Sequence, residues 1–282
     1  MTMLMFCSCT LNGFGPKTPL IPDASTGFND TVINDNPQNP HGNNTSVVTN
    51  PNGNNVLLYH ELTGVFKETV EDPNAPRIYL TFDDGPSKVS TPKILEILDD
   101  YGIKATFFVV GRTAEYYPDI LRQTLAEGHL LANHGYSHVY STIYASSSAF
   151  IQDIQSCNSV IANITGTTPK RILRFPAGSF AVELERNPAV RDSIRQYLRD
   201  NGWRYFDWTV SMGDSISSAP PPGALAYDLI AAIDRSVANG RKDIVVLAHD
   251  VDAKPWTPLD LPIVIEHCLN QGYVFRTLDT YP

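Results

Sequence analysis

The sequence predicts an α/β protein, a distorted (β/α) barrel of seven or eight strand–helix units that is preceded by a flexible amino-terminal tether. From about residue 76 onward, short apolar runs alternate with amphipathic segments, which is typical of parallel strands joined by outer helices. Residues 10–55 are instead rich in Asn, Pro, Gly, Thr and Asp, and they hold too few bulky apolar groups to offset the entropy of ordering.

Strands are predicted where a short apolar or aromatic run ends at a polar or turn-forming residue. These runs are 78–82, 105–110, 130–132, 172–175, 204–208, 243–248 and 273–277. Because parallel strands of a barrel end at the same face, we expect the functional side chains at their carboxyl ends.

Helices are predicted where apolar residues recur three or four positions apart, as at Phe150, Ile154 and Ile161 within 147–164. The first helix, 91–101, is followed by Gly102, a residue that favours the end of a helix. The remaining predicted helices are 117–127, 188–200, 223–238 and about 259–270.

The chain is expected to divide into four parts. Residues 1–9 are too few for a signal peptide, and they are either the remnant of an apolar signal region ending at a lipid-modified Cys7 or Cys9 or a scar left by cloning. Residues 10–55 form the tether, residues 56–75 a lead-in packed on the barrel, and residues 76–282 the catalytic domain. Cys157 and Cys268 lie on helical patterns and are expected to be buried thiols rather than a bridge.

Composition narrows the class of function. The formal net charge of −9, with no cluster of Lys and Arg, disfavours nucleic-acid binding. No run of 18 apolar residues is present, so no helix that crosses a bilayer is expected.

Two histidines and an acidic pair supply the residue types of a metal site. His134 and His138 are four residues apart, which would place them on one face of a helical turn, and Asp83-Asp84 follows the first predicted strand. Two imidazoles and one carboxylate can bind Zn²⁺ and leave one coordination position open for water or substrate. The second carboxylate is then free for proton transfer. The alternatives are two surface histidines and an Asp-Gly turn that begins a helix.

Three further strand ends carry residues suited to the same site. Arg174 would hold Asp83 in place, and the backbone turn after it could face an oxyanion. His249 follows the apolar run 244–247, and a carboxylate such as Asp207 would keep it protonated as a general acid. Trp208 and Leu247 could wall an apolar pocket, although Trp208 could equally belong to the core.

Six segments in order resemble the polysaccharide deacetylases of carbohydrate esterase family 4, which includes nodulation-factor chitooligosaccharide deacetylase. They are Thr81-Phe-Asp-Asp-Gly-Pro-Ser87, Lys104-Ala-Thr-Phe-Phe-Val-Val-Gly111, Asn133-His-Gly-Tyr-Ser-His138, Arg174-Phe-Pro-Ala-Gly178, Tyr205-Phe-Asp-Trp208 and Ile244-Val-Val-Leu-Ala-His-Asp250. The resemblance covers about residues 77–280 and does not reach the first 55.

The resemblance implies a distorted barrel, a divalent ion and a role for each matching residue. The ion would be Zn²⁺, with Co²⁺, Ni²⁺ or Mn²⁺ as alternatives. The implied metal ligands are Asp84, His134 and His138. The implied catalytic residues are Asp83 as general base, His249 as general acid, Asp207 as the residue that tunes His249, and Arg174 as the residue that orients Asp83. The implied pocket is lined by Trp208 and Leu247, and the Ala177 amide would donate a hydrogen bond to the oxyanion. Pro176 also belongs to it and matches a proline that is hydroxylated in some relatives.

Two positions depart from the family pattern. Gly135 lacks the hydroxyl that usually braces the loop after the first metal histidine, and this predicts a less rigid loop. Ala177 replaces a common Tyr, so it keeps the backbone amide but loses a ring in the substrate groove.

The expected activity is removal of acetyl groups from a polysaccharide, with N-acetylglucosamine residues of peptidoglycan as the first choice. Chitin oligomers and acetylated xylan are alternative substrates, and a catalytically idle glycan-binding protein is an alternative function. The expected protein is a monomer outside the cytoplasm, held to a membrane only through an amino-terminal lipid. A non-haem iron oxygenase would use the same ligand types, but the strand–helix alternation argues against it.

Overall fold

The computed structural model of the protein describes residues 73–215, 220–221 and 223–282, together with the backbone of 47–49 and 55–57. Strand β1 (Val47–Thr49) pairs antiparallel with β2 (Asn55–Leu57). Residues 1–9, which include Cys7 and Cys9, lie outside the described residues, as do most of the predicted tether and of the predicted lead-in at 56–75. The division of the chain into these parts therefore stays a prediction.

Among the described residues, eight strands form one sheet in which every ladder is parallel. The strands are β3 (Arg77–Asp83), β4 (Thr106–Val109), β5 (Leu130–Asn133), β6 (Ile172–Leu173), β7 (Arg204–Tyr205), β8 (Val210–Ser211), β9 (Asp243–His249) and β10 (Val274–Phe275). Their order is β7-β6-β5-β4-β3-β9-β8. β10 pairs with the first two residues of β3, and β4 pairs with its last three, so one edge of β3 serves two neighbours.

Nine helices connect the strands of the described chain. They are α1 (Ser90–Asp100), α2 (Gly111–Tyr116), α3 (Pro118–Ala126), α4 (Tyr140–Ile143), α5 (Ser147–Thr165), α6 (Val182–Arg186), α7 (Pro188–Asp200), α8 (Ala224–Ala238) and α9 (Trp256–Asn270). None of the helices in this part of the chain is long and apolar enough to cross a membrane.

β3 and β9 are the centre of the core because both of their faces are covered. Six of the seven residues of β3 are buried, and so are the five middle residues of β9. A parallel strand covered on both faces needs a nearly continuous apolar run rather than an alternating one. The two strands pair along their whole length, from Arg77 with Asp243 to Asp83 with His249.

The predicted barrel of strand–helix units is confirmed, with differences in the shorter elements. Cys157 and Cys268 are buried free thiols, as expected. The short helices α2, α4 and α6 and strand β8 were not predicted, because elements of two to six residues show too little periodicity. The strand expected at 172–175 ends at Leu173, and that at 204–208 ends at Tyr205.

Candidate active site

The carboxyl ends of four parallel strands bring the predicted residues together at one edge of the sheet. Asp83 is the last residue of β3 and His249 the last of β9, while His134 directly follows β5 and Arg174 directly follows β6. Because the strands are parallel, residues 166 positions apart in the sequence lie opposite each other, as Asp83 and His249 do.

A tight turn after β3 separates the two aspartates. Asp83 is buried, whereas Asp84 has a positive φ of 77° and leaves the strand direction. A Cβ at Gly85 would lie 2.0 Å from Oδ2 of the buried Asp250, so only glycine fits there. Asp250 is itself held by Thr91 Oγ1, which donates to its Oδ2 at 2.7 Å. The turn lets the side chains of both aspartates reach one cavity, whereas a continued strand would point them to opposite faces.

Asp84, His134 and His138 form a cluster that could hold a metal ion. One ligand atom from each lies within 4.8 Å of the others. Asp84 Oδ1 lies 3.3 Å from His134 Nε2 and 3.0 Å from His138 Nε2. This oxygen is buried and has no hydrogen-bond partner among the described residues, so a cation would satisfy it.

The tautomer of His134 also suits a metal ligand. Its Nδ1 lies 2.9 Å from the carbonyl oxygen of Arg174, which can only accept a hydrogen bond. The proton of the neutral ring is therefore on Nδ1, and the lone pair of Nε2 faces Asp84. Metal-bound histidines are commonly oriented in this way. The residues present thus fit a divalent cation of the zinc type.

The loop between the two histidines differs from the prediction. Residues 134–139 are not helical, so the expected placement on one helical turn is wrong. The histidines converge because Gly135 and His138 have positive φ values of 78° and 57°. Their rings end with centroids 5.1 Å apart.

Helix α5 supplies the brace that Gly135 lacks. Asp153 accepts hydrogen bonds from the amides of Tyr136, at 2.7 Å, and Ser137, at 3.1 Å. Asn133 Oδ1 accepts another from the amide of Gly135 at 2.8 Å. A Cβ at position 135 would lie 2.6 Å from Asp153 Oδ2, so glycine makes room for this carboxylate.

The electrostatic environment of the cluster is negative. Burial by itself would raise the pKa of Asp84, but the neighbouring His134 and His138 outweigh it and lower the pKa. Burial would likewise lower the pKa of His134, but the charges of Asp83 and Asp84 outweigh it and raise the pKa. Two carboxylates beside one buried imidazole create a field that attracts a cation.

Arg174 holds Asp83, as predicted from the sequence. Its Nη1 donates to Asp83 Oδ1 at 2.8 Å and to Thr81 Oγ1 at 2.7 Å. Arg174 is 1% exposed, and its guanidinium carbon lies 4.3 Å from the ring centroid of Phe108. The second oxygen of Asp83, Oδ2, lies 3.7 Å from His134 Nε2 and so faces the cluster.

The predicted pairing of Asp207 with His249 is wrong. The partner of His249 is Asp214, which follows β8. Its Oδ1 lies 2.8 Å from His249 Nδ1, and its Oδ2 accepts a hydrogen bond from the backbone amide of His249. Asp207 instead accepts from the amide and hydroxyl of Ser179, at 2.8 and 2.6 Å. Both aspartates lie near strand ends, and only the bend of residues 207–214 decides which one reaches His249.

Asp214 changes the acidity of His249. Burial lowers the pKa of His249, but the hydrogen bond and charge of Asp214, aided by Asp83 and Asp84, outweigh it and raise the pKa to about 9. Because Asp214 holds Nδ1, the nitrogen that remains for a substrate is Nε2.

A cavity of about 230 Å³ joins these groups. Its lining contains eight residues that were predicted from the sequence, namely Asp83, Asp84, His134, His138, Ala177, Trp208, Leu247 and His249. Tyr140, Gly178 and Ser215 complete the lining. Ala177 has a positive φ of 63°, which turns the backbone at the rim. Pro176 is not part of the described lining, and its carbonyl accepts a hydrogen bond from Tyr144 at 2.7 Å.

Sequence reasoning missed Asp214, Asp153 and Ser179, which act through other residues. Asp214 lies in a polar stretch after an unpredicted two-residue strand, and Asp153 is one of several polar residues of α5. A carboxylate positioned by a distant element leaves no spacing pattern in the sequence.

Comparisons with known proteins show which proteins this chain is similar to. A family described as Polysaccharide deacetylase matches residues 70–205. Over 217 residues the chain is 30% identical to a chitooligosaccharide deacetylase of Sinorhizobium fredii, covering 72% of this chain and 91% of that one. Over 198 residues it is 29% identical to a peptidoglycan-N-acetylglucosamine deacetylase of Bacillus cereus, covering 70% of this chain and 67% of that one.

A solved structure shows the same architecture. The catalytic domain of a peptidoglycan N-acetylglucosamine deacetylase from Eubacterium rectale superposes with a TM-score of 0.66 at 33% identity. The superposition covers 77% of this chain and 94% of that domain.

Proposed function

This chain belongs to the polysaccharide deacetylase family, and we propose that it is a metal-dependent hydrolase that removes acetyl groups from N-acetylglucosamine residues of peptidoglycan. One observation carries the proposal: the Asp84, His134 and His138 cluster, Asp83 and His249 all border one cavity. A metal-binding set, a carboxylate and an imidazole around one small space can together activate water and protonate the leaving nitrogen in the hydrolysis of an amide.

The site would take a divalent cation of the zinc type, held by Asp84, His134 and His138. When bound, such an ion polarises a carbonyl oxygen and lowers the pKa of water. Co²⁺, Ni²⁺ and Mn²⁺ are alternatives, because imidazole and carboxylate ligands suit them as well.

Asp83 is proposed as the general base. Its Oδ1 is held by Arg174, so its Oδ2 is the oxygen that faces the cavity and takes the proton of the attacking water. The fixed guanidinium keeps the carboxylate from rotating away, which matters because proton transfer needs contact at hydrogen-bond distance.

His249 is proposed as the general acid. Asp214 holds its Nδ1, so Nε2 is left to donate a proton to the nitrogen of the departing amine. The pKa of about 9 keeps the ring protonated at neutral pH. The Ala177 amide at the rim is proposed to donate a hydrogen bond to the oxyanion, and Trp208 and Leu247 to enclose the acetyl methyl group.

Peptidoglycan is the first choice because the similar proteins of B. cereus and E. rectale are peptidoglycan N-acetylglucosamine deacetylases. Peptidoglycan lies outside the cytoplasmic membrane, so we place the protein there, and we retain the tether and a lipid at Cys7 or Cys9 as the proposed attachment. The S. fredii relative favours chitin oligomers as the second candidate substrate. Acetylated xylan is a third.

The test measures acetate release from peptidoglycan, chitin oligomers and acetylated xylan, with products identified by mass spectrometry. The expected result is release from peptidoglycan, loss after treatment with a chelator, and recovery when Zn²⁺ is added back. A protein that binds Zn²⁺ at one equivalent yet releases no acetate from any glycan would instead be the idle glycan-binding protein. Unchanged release after the metal has been removed would contradict metal dependence.

A further inference from the structure

Phe180 is an exposed aromatic side chain beside the active-site cavity. It is 54% exposed, and Val182, two residues on, is 57% exposed. Burial of a large apolar side chain is favourable, so an exposed aromatic ring next to a cavity is a candidate contact for a ligand.

The ring of Phe180 continues the wall of the cavity. It packs edge-to-face on Trp208, with ring centroids 5.4 Å apart. A Cβ at Gly178 would lie 2.9 Å from Phe180 Cζ and 3.2 Å from Trp208 Cη2, so both rings cover the backbone of Gly178. Gly178 and Trp208 line the cavity, whereas Phe180 is not part of the lining. The ring therefore lies at the rim, next to whatever extends out of the cavity.

The turn that carries Phe180 is fixed. The preceding residue, Ser179, is held by two hydrogen bonds from its amide and hydroxyl to Asp207. Arg195 Nη2 donates to the Ser179 carbonyl oxygen at 2.9 Å. A ring held in this way contacts a ligand with little loss of conformational entropy.

The chemistry of a sugar suits this platform. One face of a pyranose ring presents C–H groups, which carry small positive partial charges. The face of an aromatic ring is negative, so the two attract each other in addition to the apolar area that they bury. At position 177 this chain has Ala, which has no aromatic ring. Phe180, three residues later, provides an aromatic ring next to the cavity.

We propose that Phe180 is a specificity-determining residue that stacks on the sugar next to the acetylated one, so the preferred substrate is a chain of at least two sugars. This inference rests on the proposed deacetylase function. It assigns the acetyl group and its own sugar to the cavity, and the neighbouring sugar to the Phe180–Trp208 rim.

The test compares kcat and KM for acetate release from N-acetylglucosamine oligomers of one to six sugars. F180A is expected to raise KM roughly three- to tenfold for the longer oligomers and to change the value for the monosaccharide less than about twofold. F180Y, which keeps the ring, is expected to behave as wild type. Y227A removes an aromatic side chain of similar exposure on α8 and serves as the matched control.

F180L separates stacking from shielding of Trp208. Leucine still covers the indole but has no aromatic face, so stacking predicts that F180L loses affinity as F180A does. Wild-type KM in F180L, or an equal loss at every chain length in F180A, would overturn the inference. Absence of acetate release by the wild-type protein from every oligomer and from peptidoglycan would refute the proposed function instead. Circular dichroism and bound metal content establish that each variant is folded.

Discussion

The two sides of the active site are held in different ways. On the cation side, the loop from His134 to His138 is fixed by backbone amides that donate to Asn133 and Asp153. On the acid side, His249 is held by one carboxylate, Asp214, which contacts both its ring and its amide. A change on the cation side should therefore alter metal affinity, whereas a change on the acid side should alter the pH dependence.

The largest expected effect comes from Asp83, which lies between the two sides. D83N keeps an acceptor for Arg174 but cannot take a proton, so kcat is expected to fall about 10³-fold. Bound metal should remain near the wild-type amount, because Asp84 and both histidines are unchanged. Acetate release and metal analysis on the same sample check this, and near-normal turnover would remove Asp83 from the mechanism.

The second effect concerns the acid side and the pH profile. His249 must be protonated to act as an acid, so activity is expected to decline as the pH rises through about 9. D214N removes the charge that raises this pKa, so the decline should begin at a pH lower by roughly one unit or more. The measurement is kcat/KM from pH 6 to 10 for both proteins. The same pH of decline in wild type and D214N would show that Asp214 does not set the pKa of His249.

The third effect concerns the cation side. Asp153 accepts hydrogen bonds from two backbone amides, one on each carboxylate oxygen. The D153N variant has an NH₂ group in place of one oxygen, so one of these hydrogen bonds is lost and the loop should loosen. D153N is expected to weaken Zn²⁺ binding about tenfold without moving the alkaline limb. Competition with a chromogenic chelator measures the affinity, and D119N, at an exposed carboxylate on α3, is the charge-matched control. Equal affinities for D153N and D119N would contradict the proposed brace.

The smallest effect sharpens the comparison of Asp207 with Asp214. D207N weakens the support of the Ser179 turn but leaves the His249 pair intact. We expect a decrease of roughly two- to fivefold in kcat/KM, since a neutral acceptor is retained. The decline of kcat/KM at high pH should occur at the same pH in D207N as in wild type. A decline at lower pH, as expected for D214N, would show that Asp207 also controls the acidity of His249.

Local patterns in the sequence predicted the elements that carry the site. β3 and β9 are recognisable because buried parallel strands require nearly continuous apolar runs. Asp83, Asp84, His134 and His249 were found because each ends or follows such a strand. The helical placement of His134 and His138 was wrong, because four-residue spacing is shared by helices and by compact loops.

The sequence by itself determined the barrel, the face on which chemistry occurs and the family, since all three depend on residues that are contiguous in short segments. Only the tertiary structure decided that Asp214 rather than Asp207 contacts His249, that Asp153 braces the loop, and that Phe180 reaches the rim. Each of these depends on where a turn or a separate helix places a side chain in space. Hydrogen bonds and ring contacts act over a few ångströms, whereas spacing along the chain records only order and distance in sequence.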